Sequence, residues 1–149
     1  MVQTKIVPSY PALIVEGKSR FLVVTDLHIG FESNLAANDI FVGKNTSINE
    51  TISELEAIIE NTNADSLILL GDVKSSIKSI SKNEWDEIPL FFNKIKEKCD
   101  VTLVPGNHDA NIQRLVPDGV TLVSSVGIVV ENMLLTHGHT MPSENFSHV

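Results

Sequence analysis

Four short apolar runs set the frame of the chain: Phe21-Leu22-Val23-Val24, Leu67-Ile68-Leu69-Leu70, Val101-Thr102-Leu103-Val104 and Met133-Leu134-Leu135. Each is bounded by turn-forming residues, as expected of buried strands. Ala12 to Val15 and Phe21 to Thr25 flank Glu16-Gly17-Lys18-Ser19, which predicts an opening hairpin. Ile48, Ile52, Leu55 and Ile59 repeat at helical spacing behind a Ser47/Glu50 capping box, and Asn61 to Asn63 should end that helix. Trp85, Ile88, Phe92 and Ile95 predict a second helix, in which Pro89 either makes a kink or marks the first turn behind an Asp86 cap. Trp85 is read as a core or lid anchor.

The remaining segments carry weaker patterns. Residues 31–45 have no clean period and read as an irregular excursion, with room for a short helix around Asn34 to Ala37. Val73 to Lys82 reads as a loop or a short distorted helix. Ile112 to Val116 suggests a short helix stopped by Pro117 and Asp118-Gly119. Val120 to Val123, Gly127 to Val130 and Met133 to Leu135 read as an antiparallel meander, and Met141 to Val149 as an unfinished loop.

Strands alternating with helices predict an α/β fold with a largely parallel sheet, and 149 residues suit a single domain spanning 1–149. No apolar run approaches the roughly 20 residues that span a bilayer, and the N-terminus lacks the pattern of a secretory signal. The expectation is a soluble, cytoplasmic protein without a membrane partner. Cys99 is the sole cysteine, which rules out an intrachain disulfide and leaves it as a small core residue. A net charge of −8 argues against a broad nucleic-acid-binding surface. A nucleic-acid end remains open as a substrate, because divalent cations would reverse the local charge.

Chemistry enters where polar clusters follow the apolar runs: Asp26-Leu27-His28, Gly71-Asp72, Gly106-Asn107-His108-Asp109 and Thr136-His137-Gly138-His139. Asp26 and His28 are two residues apart, so in an extended strand both face the same side and can meet one cation. Their mixed oxygen and nitrogen donors suit Mn, Fe or Zn better than Ca or Mg. Asn107 can ligate through its carbonyl oxygen, His108 can protonate a leaving oxygen, and Asp109 can orient or charge that imidazole. Lys74, Lys78 and Lys82 could attract a phosphate or simply solubilise a loop, and Arg114 could reach a substrate phosphate or lie on the plain surface.

In order and spacing these clusters resemble the calcineurin-like metallophosphoesterase superfamily, whose signature runs Asp-x-His, Gly-Asp, Gly-Asn-His-Asp/Glu, His and then Gly-His-x-His. The resemblance extends from about Pro11 to Pro142. Asp26 to Glu32, Gly71 to Lys74 and His137 to Pro142 look like the branch containing archaeal phosphoesterases related to the SbcD nuclease and the DNA-ligase-associated phosphoesterases. The resemblance implies a sandwich of two mixed β-sheets flanked by helices, and a dinuclear site whose two divalent ions are Mn, with Fe, Zn or Ni as alternatives. It implies that Asp26 and His28 bind the first metal, Asp72 bridges both, and Asn107 and His137 bind the second. His108, paired with Asp109, would be the general acid in hydrolysis of a phosphate mono- or diester by metal-activated water.

Two departures from the signature matter. Met141 stands where the second imidazole of Gly-His-x-His would fall, so His139 belongs beside the site, and His148 has no assigned role. The chain therefore reads as C-terminally truncated relative to the family. Ser75 stands where the branch usually carries His. Both keep a second reading in play, a non-catalytic scaffold of the kind the superfamily's retromer subunit resembles. A DNA nuclease is the third reading. No partner motif or oligomeric state can be read from the chain.

Overall fold

A computed structural model describes residues 1–31 and 47–142. The 31–45 excursion falls almost wholly outside the described residues, as do His148 and most of the segment from Met141 to Val149. Among the described residues there are eight strands: β1 (Gln3–Ile6), β2 (Ala12–Glu16), β3 (Arg20–Val24), β4 (Ser66–Leu70), β5 (Asp100–Val104), β6 (Val120–Leu122), β7 (Ile128–Val130) and β8 (Met133–Leu135). Helices α1 (Ile48–Thr62) and α2 (Lys82–Ile95) link the central strands, and a 3₁₀ turn covers Ile112–Arg114.

Strands β1 to β6 form one sheet in sequence order. The first three pair antiparallel, and β3 to β6 run parallel. β7 and β8 form a separate antiparallel pair. The predicted hairpin is present, with Ala12 opposite Val24 and Glu16 opposite Arg20. β1 was not anticipated, because Gln3-Thr4-Lys5-Ile6 is polar and exposed and adds only an edge. The expected meander is corrected: Val120–Leu122 joins the main sheet parallel to β5, with Leu103 opposite Leu122, and only β7 and β8 make a hairpin.

Strand alternation sorts the core into two layers. Leu22, Val24, Leu67, Leu69, Val101 and Leu103 point towards α1 and α2, where they meet Leu55, Ile59, Phe91 and Phe92. Val15, Val23, Ile68 and Val104 point the other way, onto Val130 and Leu135 of the small sheet. The apolar runs are therefore continuous because both faces of the central strands are covered. The expected fold class holds as a mixed α/β fold in which a six-stranded mixed sheet faces a smaller, purely antiparallel one.

Helix α1 begins as expected: Ser47 Oγ accepts the Glu50 N–H, and Glu50 reaches back to the Ser47 N–H. Asn63, at φ 50°, closes it in the left-handed conformation. Helix α2 starts earlier than expected, because Ser81 and Glu84 form a second capping box, so Asp86 is not the cap. Pro89 lies inside the helix and has no N–H for the Trp85 carbonyl. The buried stripe is Glu84, Ile88, Phe91, Phe92 and Ile95. Trp85 is left exposed, with the Arg114 guanidinium 5.0 Å from its ring centroid, and is not a core anchor. Among the described residues no helix is long and apolar enough to cross a membrane.

Candidate metal centre

The four polar clusters meet at the C-terminal ends of β3, β4, β5 and β8. Asp26 and His28 lie beyond the end of β3, at φ 57° and 45°, and Asp72 lies beyond β4 at φ 55°. They therefore converge through left-handed turns and not through the strand alternation that the Asp-x-His spacing suggested. Such a conformation is uncommon outside glycine, although Asp and His tolerate it better than most residues. Main-chain bonds hold it: the Asp26 N–H donates to the Gly71 carbonyl at 3.1 Å, His28 to Asp72 at 2.9 Å and Ile29 to Val73 at 2.8 Å. The loops after β3 and β4 are thus joined past the ends of their strands. Thr25 Oγ1 lies 2.8 Å from the Leu70 carbonyl and 2.9 Å from Asp26 Oδ2, which orients that carboxylate.

Asp72 is the buried hub. Its Oδ1 accepts the His108 N–H at 2.9 Å, while its Oδ2 lies 3.4 Å from His137 Nε2 and 3.8 Å from His28 Nε2. His28 Nε2 also lies 3.7 Å from Asp26 Oδ1. Two groups of ligand atoms, His28 with Asp72 and His108, and Asp26 with Asp72 and His137, each fall within 4.8 Å. Asp72 belongs to both. Gly71 and Gly106 permit this crowding: a Cβ on Gly71 would strike the His137 ring, and one on Gly106 would strike Asp72.

The donor set fits a cation. His137 Nδ1 lies 2.8 Å from the Leu70 carbonyl, which can only accept, so that nitrogen carries the proton. In the neutral ring Nε2 is then an acceptor, and it lies 3.2 Å from Asn107 Oδ1 and 3.4 Å from Asp72 Oδ2. With the ring neutral, three acceptors converge there, an arrangement that a metal ion would satisfy. His139 is exposed and packs edge-on to His137 with ring centroids 5.5 Å apart, beside the cluster as expected.

His108 and Asp109 do not form the expected pair. His108 Nδ1 meets the Ser75 carbonyl at 2.6 Å, and its ring stands edge-on to His28 with centroids 4.8 Å apart. The Asp109 carboxylate instead accepts the N–H groups of Gly106 at 2.8 Å and Lys74 at 3.0 Å, tying the loop after β5 to the loop after β4. Burial pushes its pKa above the usual carboxylate range, and these two N–H bonds oppose the shift. One of the His108 ring nitrogens belongs to a metal-capable group, so the histidine assigned as acid is also placed where a ligand could sit.

Sequence reasoning missed Glu84 altogether and missed that Lys74 is buried; both side chains are fully enclosed. Lys74 neither attracts phosphate nor solubilises a loop: its Nζ donates to the Ser76 carbonyl and, at 2.8 Å, to that of Ser79. Burial pushes the ammonium pKa down, opposed by the charges of Glu84, Asp109 and Asp72. Glu84 accepts the N–H groups of Ser75 at 3.1 Å, Ser76 at 2.7 Å and Ser81 at 2.7 Å. A readable signal existed, since Glu84 interrupts the apolar stripe of Ile88, Phe91 and Ile95 at helical spacing.

The sequence pattern of the calcineurin-like phosphoesterases matches residues 19–148. The chain belongs to that family. Its fold is similar to the crystal structure of Pseudomonas putida nuclease MPE, with a TM-score of 0.51 and 17% identity over 88% of this chain. The match spans 64% of that nuclease's length. No curated protein matches the chain. Family membership agrees with an acceptor-rich centre at the strand ends. A cavity of about 640 Å³ lined by Lys18, Phe21, Ile128 and Glu131 lies instead towards the opposite end of β3, away from the metal-capable groups.

Proposed function

We propose that this calcineurin-like phosphoesterase hydrolyses a phosphate mono- or diester at a dinuclear centre bridged by Asp72. The carrying observation is that Asp72 belongs to both metal-capable groups while its Oδ1 fixes the backbone of His108. Asp26 and His28 would hold one ion, and Asn107 and His137 the other, with manganese the first metal to test. When bound, such ions supply Lewis acidity and a water deprotonated at neutral pH. The chain's own residues do the rest. Leu70 fixes the His137 tautomer, Thr25 aims Asp26, and the loop after β5 presents His108 to protonate the leaving oxygen. Within the family, the motifs Asp26 to Glu32, Gly71 to Lys74 and His137 to Pro142 favour the branch of SbcD-related and DNA-ligase-associated phosphoesterases. A nucleic-acid end is the more specific substrate reading, favoured by the fold match to a nuclease and opposed by the net charge of −8.

The test compares wild type with His108→Ala after chelation and reloading with Mn²⁺. A general acid of this kind contributes about 10²- to 10⁴-fold. The variant should bind Mn²⁺ with unchanged stoichiometry and lose turnover on that scale. Unchanged turnover would remove His108 from the reaction, and lost binding would make it a ligand. Absence of any Mn²⁺-dependent hydrolysis by the wild type would leave the scaffold reading in its place.

A further inference from the structure

His108 lacks a carboxylate partner of its own, yet a carboxylate stands one peptide away. The Ser75 carbonyl that meets His108 Nδ1 and the Ser76 N–H that donates to Glu84 Oε1 at 2.7 Å belong to one peptide unit. That unit is planar, so fixing its N–H end fixes the direction of its carbonyl. We propose that Glu84 is the positioning residue for His108, acting through the Ser75–Ser76 peptide. This rests on the reading of His108 as the group that serves the leaving oxygen.

Several independent features converge on Glu84. It is fully buried, although a glutamate serving only as a helix cap can do so at the surface, as Glu50 does in α1. It gathers three main-chain N–H groups, two of them on the peptides flanking Ser75. Gly30, at φ +91°, lets it approach the loop of Asp26 and His28, since a Cβ there would lie 3.2 Å from Glu84 Cγ. Lys74 holds the following turn of the same loop, its Nζ donating to the Ser76 and Ser79 carbonyls.

The electrostatics point the same way. An anionic acceptor on a peptide N–H polarises the unit, and hydrogen bonds in such a chain strengthen one another. The Ser75 carbonyl thereby becomes a stronger acceptor for His108 Nδ1–H. The imidazole is held through Nδ1–H, which leaves Nε2 as the atom that takes up and delivers the reacting proton. Glu84 thus takes the role the sequence assigned to Asp109, at one remove.

The test uses Glu84→Gln, which keeps an acceptor for the peptide N–H but removes the charge, and Ser81→Ala, which weakens the same helix cap without touching the Ser75–Ser76 peptide. Two readouts are taken. In metal-free, ¹⁵N-histidine-labelled protein, His108 should be the Nδ1–H tautomer. Glu84→Gln should move that proton resonance upfield, and Ser81→Ala should leave it in place. In Mn²⁺-loaded protein, Glu84→Gln should lower kcat more than it raises KM. The loss should be about 10- to 100-fold for phenyl phosphate, the scale of a histidine's outer partners, and smaller for p-nitrophenyl phosphate, whose leaving oxygen needs less protonation.

An unmoved His108 resonance, or an equal loss for both leaving groups, would overturn the proposal and leave Glu84 as a helix cap. If the wild type hydrolyses neither ester, the monoesterase form of the reading fails, the same comparison moves to phenyl and p-nitrophenyl diesters, and the resonance still decides whether Glu84 acts on His108. Should Glu84→Gln not fold, Ser76→Pro removes the relayed N–H from the other end and is expected to move the same resonance.

Discussion

Gly106 and Asp72 approach so closely that a single added methyl on Gly106 would overlap both the Asp72 carboxylate and its main-chain nitrogen. The contact brings the loop after β5 against the loop after β4, and it places the His108 N–H on Asp72 Oδ1 at 2.9 Å. Gly106→Ala should therefore displace the Asp72 carboxylate before it unfolds the domain. The expected result is a loss of Mn²⁺ binding measured by calorimetry, with a folded far-UV spectrum retained. Wild-type affinity in this variant would mean that the close approach is not needed for the site.

Asp109 should behave as a structural residue. Its carboxylate accepts two main-chain N–H groups in a buried position, so Asp109→Asn turns one acceptor into a donor facing a donor. An unsatisfied buried group costs about 1–3 kcal/mol, which for a chain of this size lowers Tm by roughly 2–4 °C per kcal/mol. The remaining hydrolysis should keep the wild-type preference between phenyl and p-nitrophenyl leaving groups. A selective loss on the poorer leaving group would restore Asp109 as the partner of His108.

The sequence makes the frame of this centre legible and hides its supports. Apolar runs announce strands β3, β4, β5 and β8, and the clusters after them supply every residue now placed around Asp72. Main-chain partners are less visible: any residue offers a carbonyl, so nothing in the identity of Ser75 or Leu70 predicts that it fixes an imidazole. Adjacency misled the pairing of His108 with Asp109, because consecutive residues in a tight turn point apart. In α2 the apolar period places Ile88, Phe92 and Ile95 on the buried face, but extending it to the large apolar Trp85 overlooks Glu84, the residue that lies buried in the first turn. The place of β6 in the main sheet is not legible in its own three residues, because parallel pairing with β5 depends on the crossover through Ile112 and Leu115.

At the other end of the hairpin, Glu16 accepts from Arg20 and, at 2.9 Å, from Lys5. Arg20 chiefly, with Lys5, holds the Glu16 carboxyl at about 2, below its ordinary 4.5. A depressed folded pKa gives stability that is present above the unfolded value and is lost as pH falls through the folded one. The stability difference between wild type and Glu16→Gln should thus be constant above pH 4.5 and vanish towards pH 2, and added salt should shrink it. Urea titrations at several pH values measure it, and a difference that grew on acidification would contradict the assignment.

The core makes its own demand. Leu67 of β4 has no exposed surface and lies in the helix-facing layer. Leu67→Ala should cost about 2–5 kcal/mol through lost burial and the cavity left behind. Denaturant unfolding of the two proteins measures that cost, and a change below 1 kcal/mol would mean that the layer collapses around the site.

The most direct measurement is hydrolysis of bis(p-nitrophenyl) phosphate as a function of added Mn²⁺, with chelator-treated wild type and Asp72→Ala in parallel. The wild type should gain activity saturably and lose it again on chelation, and Asp72→Ala should stay at background at every concentration. Hydrolysis that ignores the metal, or that survives the loss of Asp72, would contradict an Asp72-bridged phosphoesterase centre.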